Sequence, residues 1–365
     1  MKTIVVSGIN LFRGGTLKII QDCIAALSAF AGENYRIVAL VHDGKLFPEY
    51  ENVEYIAFPK SRKSWFIRLY YEYIGFRKLS KQLNPYAWFS LHDTTPNVTA
   101  EKRMVYCHNT FPFYRPAWKD WFIQPEIVMF SLFSRYIHRI NIRKNTFVVV
   151  QQEWLRGAFE KMFSIHNLVV SLPVQEDEPF RVDVNKSQVL KEKIRFFYPA
   201  TPMIHKNYEV ICRAAAMLEK SGITNFEVLL TFQGQENRYT KKIIDTYGHL
   251  NSLCFIGFLD RQEMNNTYQN CDCLLFPSKV ESWGLPATEA KALGKPILIS
   301  DLPYARETVG KYEQAKFFDP DNADQLYEIM RQFIAGTLVY DETEEVRYKE
   351  PFSRNWEELV RYLFT

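Results

Sequence analysis

The sequence predicts an α/β protein built from two doubly wound domains, and three observations predict it. The chain has 365 residues, more than one ordinary hydrophobic core fills. Short apolar runs alternate with longer amphipathic stretches, the pattern of a parallel sheet covered by helices. The alternation stops once, in a polar stretch over 175–193, and then starts again.

In the first half, residues 3–7, 36–41, 53–58, 87–91, 103–107 and 146–150 have the apolar content of strands. A loop with Gly14 and Gly15 follows the first of them, and 17–30 has helical spacing. The stretches 64–83 and 121–140 read as two further long helices. The interruption carries Glu176, Asp177, Glu178 and Pro179, the composition of an interdomain connection. In the second half, 195–199, 226–232, 253–257, 273–277 and 296–300 read as strands. Helices are expected over 207–220, 238–247, 261–269 and 286–293. Near the end, Trp356, Leu359, Val360 and Leu363 have helical spacing.

Composition narrows the function classes. Hydrophobic residues make up 47% and charged residues 24%, as in soluble globular proteins. The net charge of +3 is too small for a nucleic-acid module, and suits anionic small molecules or an anionic membrane surface. The six cysteines (23, 107, 212, 254, 271 and 273) have neither zinc nor disulfide spacing, so reduced buried thiols and a cytoplasmic location are expected. The N-terminus runs directly into a strand without the layout of a signal peptide. No run of about 18 apolar residues exists to span a bilayer.

Chemistry concentrates in 277–294, Pro-Ser-Lys-Val-Glu-Ser-Trp-Gly-Leu-Pro-Ala-Thr-Glu-Ala-Lys-Ala-Leu-Gly. A strand ends at Pro277, a loop carries Glu281 and Gly284, and Pro286 suits the first turn of a helix that Gly294 ends. The helix N-terminus then lies at the C-terminal edge of a parallel sheet, where backbone N–H groups collect anions. Gly284 permits close approach of a ligand to the backbone. Glu281 and Glu289 stand eight residues apart. On one helix that is ~12 Å, too far for the ~5 Å carboxylate pair of a retaining hydrolase. The two glutamates suit hydroxyl groups on either side of a diphosphate.

This segment resembles the Glu-x(7)-Glu signature of retaining glycosyltransferases of family four, with Pro-Ser, Glu, Gly-Leu-Pro, Glu and Gly-Lys-Pro in the same order. The resemblance implies the GT-B fold: two Rossmann-like doubly wound domains facing across a cleft, the acceptor on the first and a nucleotide sugar on the second. The domains are expected over 1–178 and 190–350, with a helix over 352–365 packing back on the first. By resemblance Glu281 contacts the donor sugar and Glu289 the ribose. The backbone around Ser282, Trp283, Gly284 and Leu285 then holds the diphosphate.

The stretch Phe-Tyr-Pro-Ala-Thr-Pro-Met-Ile-His-Lys-Asn over 197–207 resembles the loop whose lysine binds that diphosphate, here Lys206. Independently of any family, a lysine at a helix start adds a point charge to the dipole. Many relatives carry Gly-Arg earlier in this loop. Here it reads Pro-Ala-Thr-Pro, and His205 is either a substitute cation or a packing residue. Gly14 and Gly15 resemble the family's glycine loop against donor phosphates and acceptor. They are not Gly-x-Gly-x-x-Gly, which argues against a nicotinamide dehydrogenase. His108 resembles the family's active-site histidine, and His92 or Asp93 is expected near the acceptor.

Asp319-Pro320-Asp321 matches the Asp-x-Asp of metal-dependent transferases. It immediately precedes a helix beginning near Ala323, so turn and cap chemistry explains it, and no metal or other cofactor is expected. The expected activity is sugar transfer from a nucleoside-diphosphate sugar to a hydroxyl with retention, serving surface polysaccharide or glycolipid assembly. Its partners would be the nucleotide sugar, a glycan or lipid-linked acceptor, and no nucleic acid. Basic and aromatic residues interleave over 63–78, and Trp118, Trp121, Phe122, Phe130 and Phe133 follow. Such a helix either docks on the inner membrane surface or buries its aromatics in the core. The rival reading is a catalytically silent partner subunit, against which Glu281, Glu289 and Lys206 argue. A GT-B phosphorylase would need a longer chain and a cofactor lysine, and an epimerase would not keep the signature.

Overall fold

The computed structural model describes residues 1–173 and 193–365, so the connection predicted over 175–193 lies outside the described residues as far as 192. In chain order the elements are β1 (Lys2–Ser7), α1 (Gly14–Ala31), β2 (Tyr35–Val41), β3 (Val53–Ala57), α2 (Trp65–Tyr70), α3 (Phe76–Leu83), β4 (Ala87–Ser90), β5 (Lys102–Cys107), α4 (Asp120–Ile123), α5 (Pro125–Arg139), β6 (Phe147–Val150), α6 (Glu153–Phe163) and β7 (Leu168–Ser171). There follow β8 (Ile194–Tyr198), α7 (Tyr208–Lys220), β9 (Phe226–Leu230), α8 (Arg238–Tyr247), β10 (Leu253–Phe255), α9 (Arg261–Asn270), β11 (Cys273–Phe276), α10 (Leu285–Ala292), β12 (Ile297–Ser300), α11 (Pro303–Val309), β13 (Ala315–Phe318), α12 (Ala323–Ile334), β14 (Phe352–Ser353) and α13 (Trp356–Phe364).

The described residues form two units. The first comprises 1–109, 133–173 and 348–365, and the second 110–132 and 193–347. Residues 110–132 thus group with the second unit, not with the rest of the first 178 residues. The reason is local bonding: Gln124 accepts from the Ile204 N–H, and Lys119 pairs with Glu209.

The first unit holds an eight-stranded parallel sheet in the order β14-β7-β6-β5-β4-β1-β2-β3. Alternating side chains of β1 serve two cores. Ile4 and Val6 pack with Ile24 and Leu27 of α1 and with Trp356, Leu359 and Leu363 of α13. Val5 packs on the other face with Val38, Leu40, Phe76 and Trp88. Both faces are covered, as parallel sheets require.

Two helices predicted as continuous are broken. Over 64–83, a π-helical turn at Tyr71–Gly75 separates α2 from α3. The wider turn aims Glu72 into the core, where its carboxylate meets Arg68 and Thr94 and its carbonyl accepts from Asn97 N–H at 3.0 Å. Over 121–140, Pro125 forces Gln124 out of helical geometry (φ −139°, ψ 72°), so α4 ends and α5 restarts.

The second unit holds a six-stranded parallel sheet in the order β10-β9-β8-β11-β12-β13. Its central strands are fully buried apolar runs: Phe196, Phe197 and Tyr198 in β8 against Cys273, Leu274 and Leu275 in β11. The sequence pattern alone did not reveal α6, β7, α11 or β13. Each is short or adjoins a segment with no clear period. All six cysteines are free, five of them buried and Cys254 half-buried.

Candidate functional site

Lys206 and Glu281 arise on either side of the point where the second sheet reverses its strand order. β8 and β11 are neighbours there, with β9 and β10 built outward from one and β12 and β13 from the other. Loops leaving the C-terminal ends of such strands turn in opposite directions and leave room for a ligand. After β8 the chain makes one 3-10 turn, Ile204–Lys206, and enters α7 through Asn207. Asn207 has left-handed backbone (φ 58°), which asparagine tolerates better than most residues. Its amide donates to the carbonyls of Pro277 at 3.2 Å and Pro320 at 2.7 Å. The Tyr198 hydroxyl donates to the Lys206 carbonyl at 2.7 Å, and the Lys279 N–H to the His205 carbonyl at 2.8 Å. These bonds tie the two loops together. Lys206 Nζ then donates to Glu281 Oε1 at 2.5 Å, with the two side chains 17% and 15% exposed. An ammonium has three donors, so one bond to Glu281 leaves two for another acceptor.

The loop after Glu281 is pinned from two sides. The Thr308 hydroxyl donates to the Trp283 carbonyl, and the Trp283 indole N–H donates to Thr288 Oγ1 at 2.9 Å. Ser282 between them is half-buried. Gly284 has φ 99°, and a Cβ there would lie 3.2 Å from the Phe276 ring, so both conformation and space favour glycine. Leu285 and Pro286 open α10, whose first turn has no acidic residue; the Ala287 N–H goes to the Gly284 carbonyl at 2.9 Å and Pro286 has no N–H, so at this end the Leu285 N–H is the one without a helical acceptor. That end is electropositive and open to an anion. One turn in, burial raises the pKa of the Glu289 carboxyl, against a hydrogen bond from Tyr268 and the charge of Arg261, both from α9. Lys206, Glu281, Gly284 and Glu289 therefore surround one helix N-terminus at one sheet edge. An ammonium and the positive end of a helix suit a diphosphate, and two carboxylates suit hydroxyls.

Comparison with known proteins bears on the same residues. Residues 180–349 match the family model described as Glycosyl transferases group 1. This part of the chain is similar to group 1 glycosyl transferases. Serotype-specific mannosyltransferase WbdA of Escherichia coli is 25% identical over 211 residues, 55% of this chain and 26% of that protein. The chain thus spans about a quarter of the length of WbdA. O-antigen chain mannosyltransferase RfbU of Salmonella typhimurium is 23% identical over 297 residues, 76% of this chain and 75% of that one. Among solved structures, sucrose-phosphate synthase from Thermosynechococcus elongatus superposes with a TM-score of 0.68 at 13% identity, covering 92% of this chain and 90% of that one. The fold is GT-B, with two parallel-sheet α/β units.

Within the second unit, His205 is a packing residue. It is 7% exposed, its ring meets Phe111 and Tyr114 edge-on, and burial followed by the nearby Lys206 charge pushes its pKa well down. A neutral imidazole supplies no second cation. Asp319 accepts from the Asp321 N–H at 2.9 Å, Asp321 pairs with Lys279, and Asn322 caps α12. That is turn and cap chemistry.

The remaining predicted residues lie in the first unit, around its own reversal point between β1 and β4. Gly14 (φ 57°) and Gly15 begin α1 after β1, with open space where a Gly14 side chain would stand. Asp93 follows β4 with φ 69°, and its Oδ1 accepts from the N–H groups of His108 at 2.7 Å and Asn109 at 2.8 Å. The carboxylate thus fixes the loop that carries His108, whose side chain is 14% exposed. Its Nδ1 lies 3.6 Å from Asp93 Oδ1, beyond hydrogen-bond length.

His92 is placed differently from the sequence expectation. It is fully buried and has no surface to offer an acceptor. Its Nε2 lies 3.2 Å from Ser7 Oγ, and its Nδ1 lies 3.1 Å from Thr94 Oγ1 and 3.2 Å from Glu72 Oε1. Burial above all lowers its pKa to about 4, so it is neutral and structural at physiological pH. The sequence reading did not single out Arg261, Asn207, Gln124 or the pair Arg68 and Glu72. Only Asn207, an asparagine between a strand loop and a helix, carries a local signal for its left-handed backbone.

Proposed function

We propose that this chain transfers a sugar from a nucleoside-diphosphate sugar to a hydroxyl of a glycan or lipid-linked acceptor, in the assembly of a surface polysaccharide. The observation that carries this reading is the Lys206–Glu281 pair at the sheet reversal beside the N-terminus of α10. In this reaction the bond from the anomeric carbon to the diphosphate breaks, and a bond to the acceptor oxygen forms. The acceptor proton passes to a phosphate oxygen. Charge grows on the departing diphosphate, and Lys206 with the α10 N–H groups stabilises it without a metal. Glu281 orients the sugar and Glu289 the ribose. In the first unit, Gly14 and Gly15 face phosphate and acceptor, and His108, held by Asp93, serves the reaction centre. Retention of anomeric configuration belongs to the same reading. The names of WbdA and RfbU, both mannosyltransferases, support a hexose donor and polysaccharide assembly.

A thermal-shift screen against nucleoside diphosphates and their sugars tests it. At a hundredfold excess over Kd the matching ligand stabilises the fold by about 2.7 kcal/mol, a rise of a few degrees in Tm. If no nucleoside diphosphate shifts Tm in the parent protein, the donor assignment is wrong.

We also place the enzyme in the cytoplasm at the inner membrane surface. No helix among the described residues is long and apolar enough to cross a membrane. Phe66 (79% exposed), Tyr70 and Ile74 face solvent at four-residue spacing beside basic Lys63 and Arg77. On α5, Met129, Leu132, Phe133 and Tyr136 are exposed along one helical stripe. Aromatic and basic side chains of this kind insert at an anionic headgroup layer. Phe66→Ser with Tyr70→Ser is expected to lower the partition constant onto phosphatidylglycerol vesicles, read by co-sedimentation, by at least roughly a hundredfold, since each buried aromatic contributes ~1.5–3 kcal/mol. Equal pelleting of parent and variant would remove this surface from the account.

A further inference from the structure

We propose that Gln124 is a positioning residue for Lys206: with Phe111 and Tyr114, it fixes the short turn from which the lysine reaches Glu281. This deepens the donor-site reading above and rests on it. The turn Ile204–Lys206 is three residues long. Its own bonds are few: Lys206 N–H to Met203 O at 2.9 Å, and Asn207 N–H to Ile204 O at 3.1 Å. So short a 3-10 turn does not hold an orientation by itself. Surrounding groups must fix it.

On the side facing the sheet, Tyr198, Asn207 and Lys279 do so through the bonds already described. The opposite side is held by residues 110–124. The Gln124 carboxamide oxygen accepts the Ile204 N–H at 2.8 Å, with Gln124 3% and Ile204 5% exposed. The His205 ring stands edge-on to Phe111 at 4.9 Å and to Tyr114 at 5.9 Å. Asp120 organises the segment itself, accepting from the Tyr114 hydroxyl at 3.0 Å and the Ala117 N–H at 2.8 Å. Lys119 reaches Glu209, in the first turn of α7, at 2.9 Å.

Every residue of the turn is therefore gripped. The Ile204 N–H goes to Gln124, the His205 ring to Phe111 and Tyr114, and the Lys206 carbonyl to Tyr198. The lysine side chain needs that grip because it is long and rotamer-rich. A displacement of about 1 Å at a charge that must meet a developing anion lowers the rate by roughly a hundredfold. Gln124 owes its position to Pro125. The proline ends α4, turns Gln124 out of the helix and frees its side chain for Ile204.

Three variants test this. Gln124→Met keeps the volume and removes the acceptor, Gln124→Glu keeps an acceptor oxygen, and Phe111→Leu loosens the ring contact without touching the hydrogen bond. The first readout is independent of catalysis. Acetylation of Lys206 by N-hydroxysuccinimidyl acetate is followed by peptide mass spectrometry. Lys316, paired with Asp341 at 2.6 Å, is the internal reference. In Gln124→Met, Lys206 is expected to react roughly fivefold faster, the factor that matches the loss of one hydrogen bond. Lys316 stays unchanged, Gln124→Glu stays within about twofold of the parent, and Phe111→Leu moves in the direction of Gln124→Met.

The second readout is kinetic. In Gln124→Met, kcat for sugar transfer falls roughly ten- to a hundredfold while the donor KM changes by less than about threefold. Unchanged Lys206 reactivity in both Gln124→Met and Phe111→Leu, whatever happens to Tm, overturns the proposal. A parent protein that transfers no sugar refutes the function, but the labelling result still decides whether Gln124 positions Lys206.

Discussion

Lys206→Ala and Glu281→Ala are each expected to lower kcat for sugar transfer by about 10²–10³-fold, the range for removing one preorganised charge-stabilising group. Lys206 supplies a full positive charge in a loop that is mostly shielded from water. Without it, the leaving diphosphate is stabilised only by backbone dipoles. Glu281 holds the lysine at 2.5 Å and, in the proposed reaction, the sugar hydroxyls. Because the two act as a unit, the double variant should lose much less than the product of the single losses. Both side chains leave the sheet on loops, so near-native circular dichroism is expected for all three proteins. The measurement is kcat with saturating donor in purified variants. Turnover within tenfold of the parent in both single variants would remove the pair from the mechanism.

The largest expected effect on stability lies in the other unit. Arg68→Leu is expected to lower the unfolding free energy by about 3–5 kcal/mol at pH 7.5, the usual consequence of stranding one member of a buried ion pair. Glu72 is fully buried, and Arg68 Nε donates to its Oε1 at 2.6 Å. Burial alone would raise the Glu72 pKa. The charges of His92 and Arg68, with hydrogen bonds from Thr94 and Arg68, outweigh it and lower the pKa. We assign that lowering chiefly to Arg68, since His92 is neutral above about pH 4.

The sign of the pH dependence follows. In the parent protein the folded-state pKa lies below the unfolded value of about 4.3. The pair's contribution is therefore present above that value and lost as pH falls through the folded pKa. In Arg68→Leu burial dominates, the folded pKa rises above 4.3, and protonation relieves the folded state. The variant's deficit should accordingly be largest at neutral pH and shrink toward pH 5. Urea titrations at the two pH values measure it. A deficit under about 1 kcal/mol at pH 7.5 would show that Glu72 needs no ionic partner.

Much of the second unit was legible because its elements are local. Its strands are continuous apolar runs, and its helix ends carry recognisable chemistry: Asn237 and Asp260 form capping boxes, and Gly284 and Pro286 open α10. The Glu281–Glu289 segment was legible for the same reason. A strand end, a glycine with positive φ and a helix N-terminus are all set within a dozen residues. His92 was misplaced because a strand-end histidine looks the same in sequence whether it points to solvent or to a buried glutamate twenty residues earlier. The two broken helices show the same limit. Apolar periodicity survives a π turn at Tyr71–Gly75 and one non-helical residue at Gln124, although each redirects a buried polar side chain.

The sequence by itself determined the parallel α/β class, the alternation of strands and helices, and the placing of a helix N-terminus near residue 284. Each depends on neighbours along the chain, through period, capping and backbone sterics. Only the tertiary structure decided that Lys206 meets Glu281 across 75 positions, that Glu72 and His92 are sealed in a core, and that 110–132 braces the second unit. The physical reason is that hydrogen bonds and ion pairs of this kind follow distance in space. The sheet order, which no local pattern encodes, sets that distance.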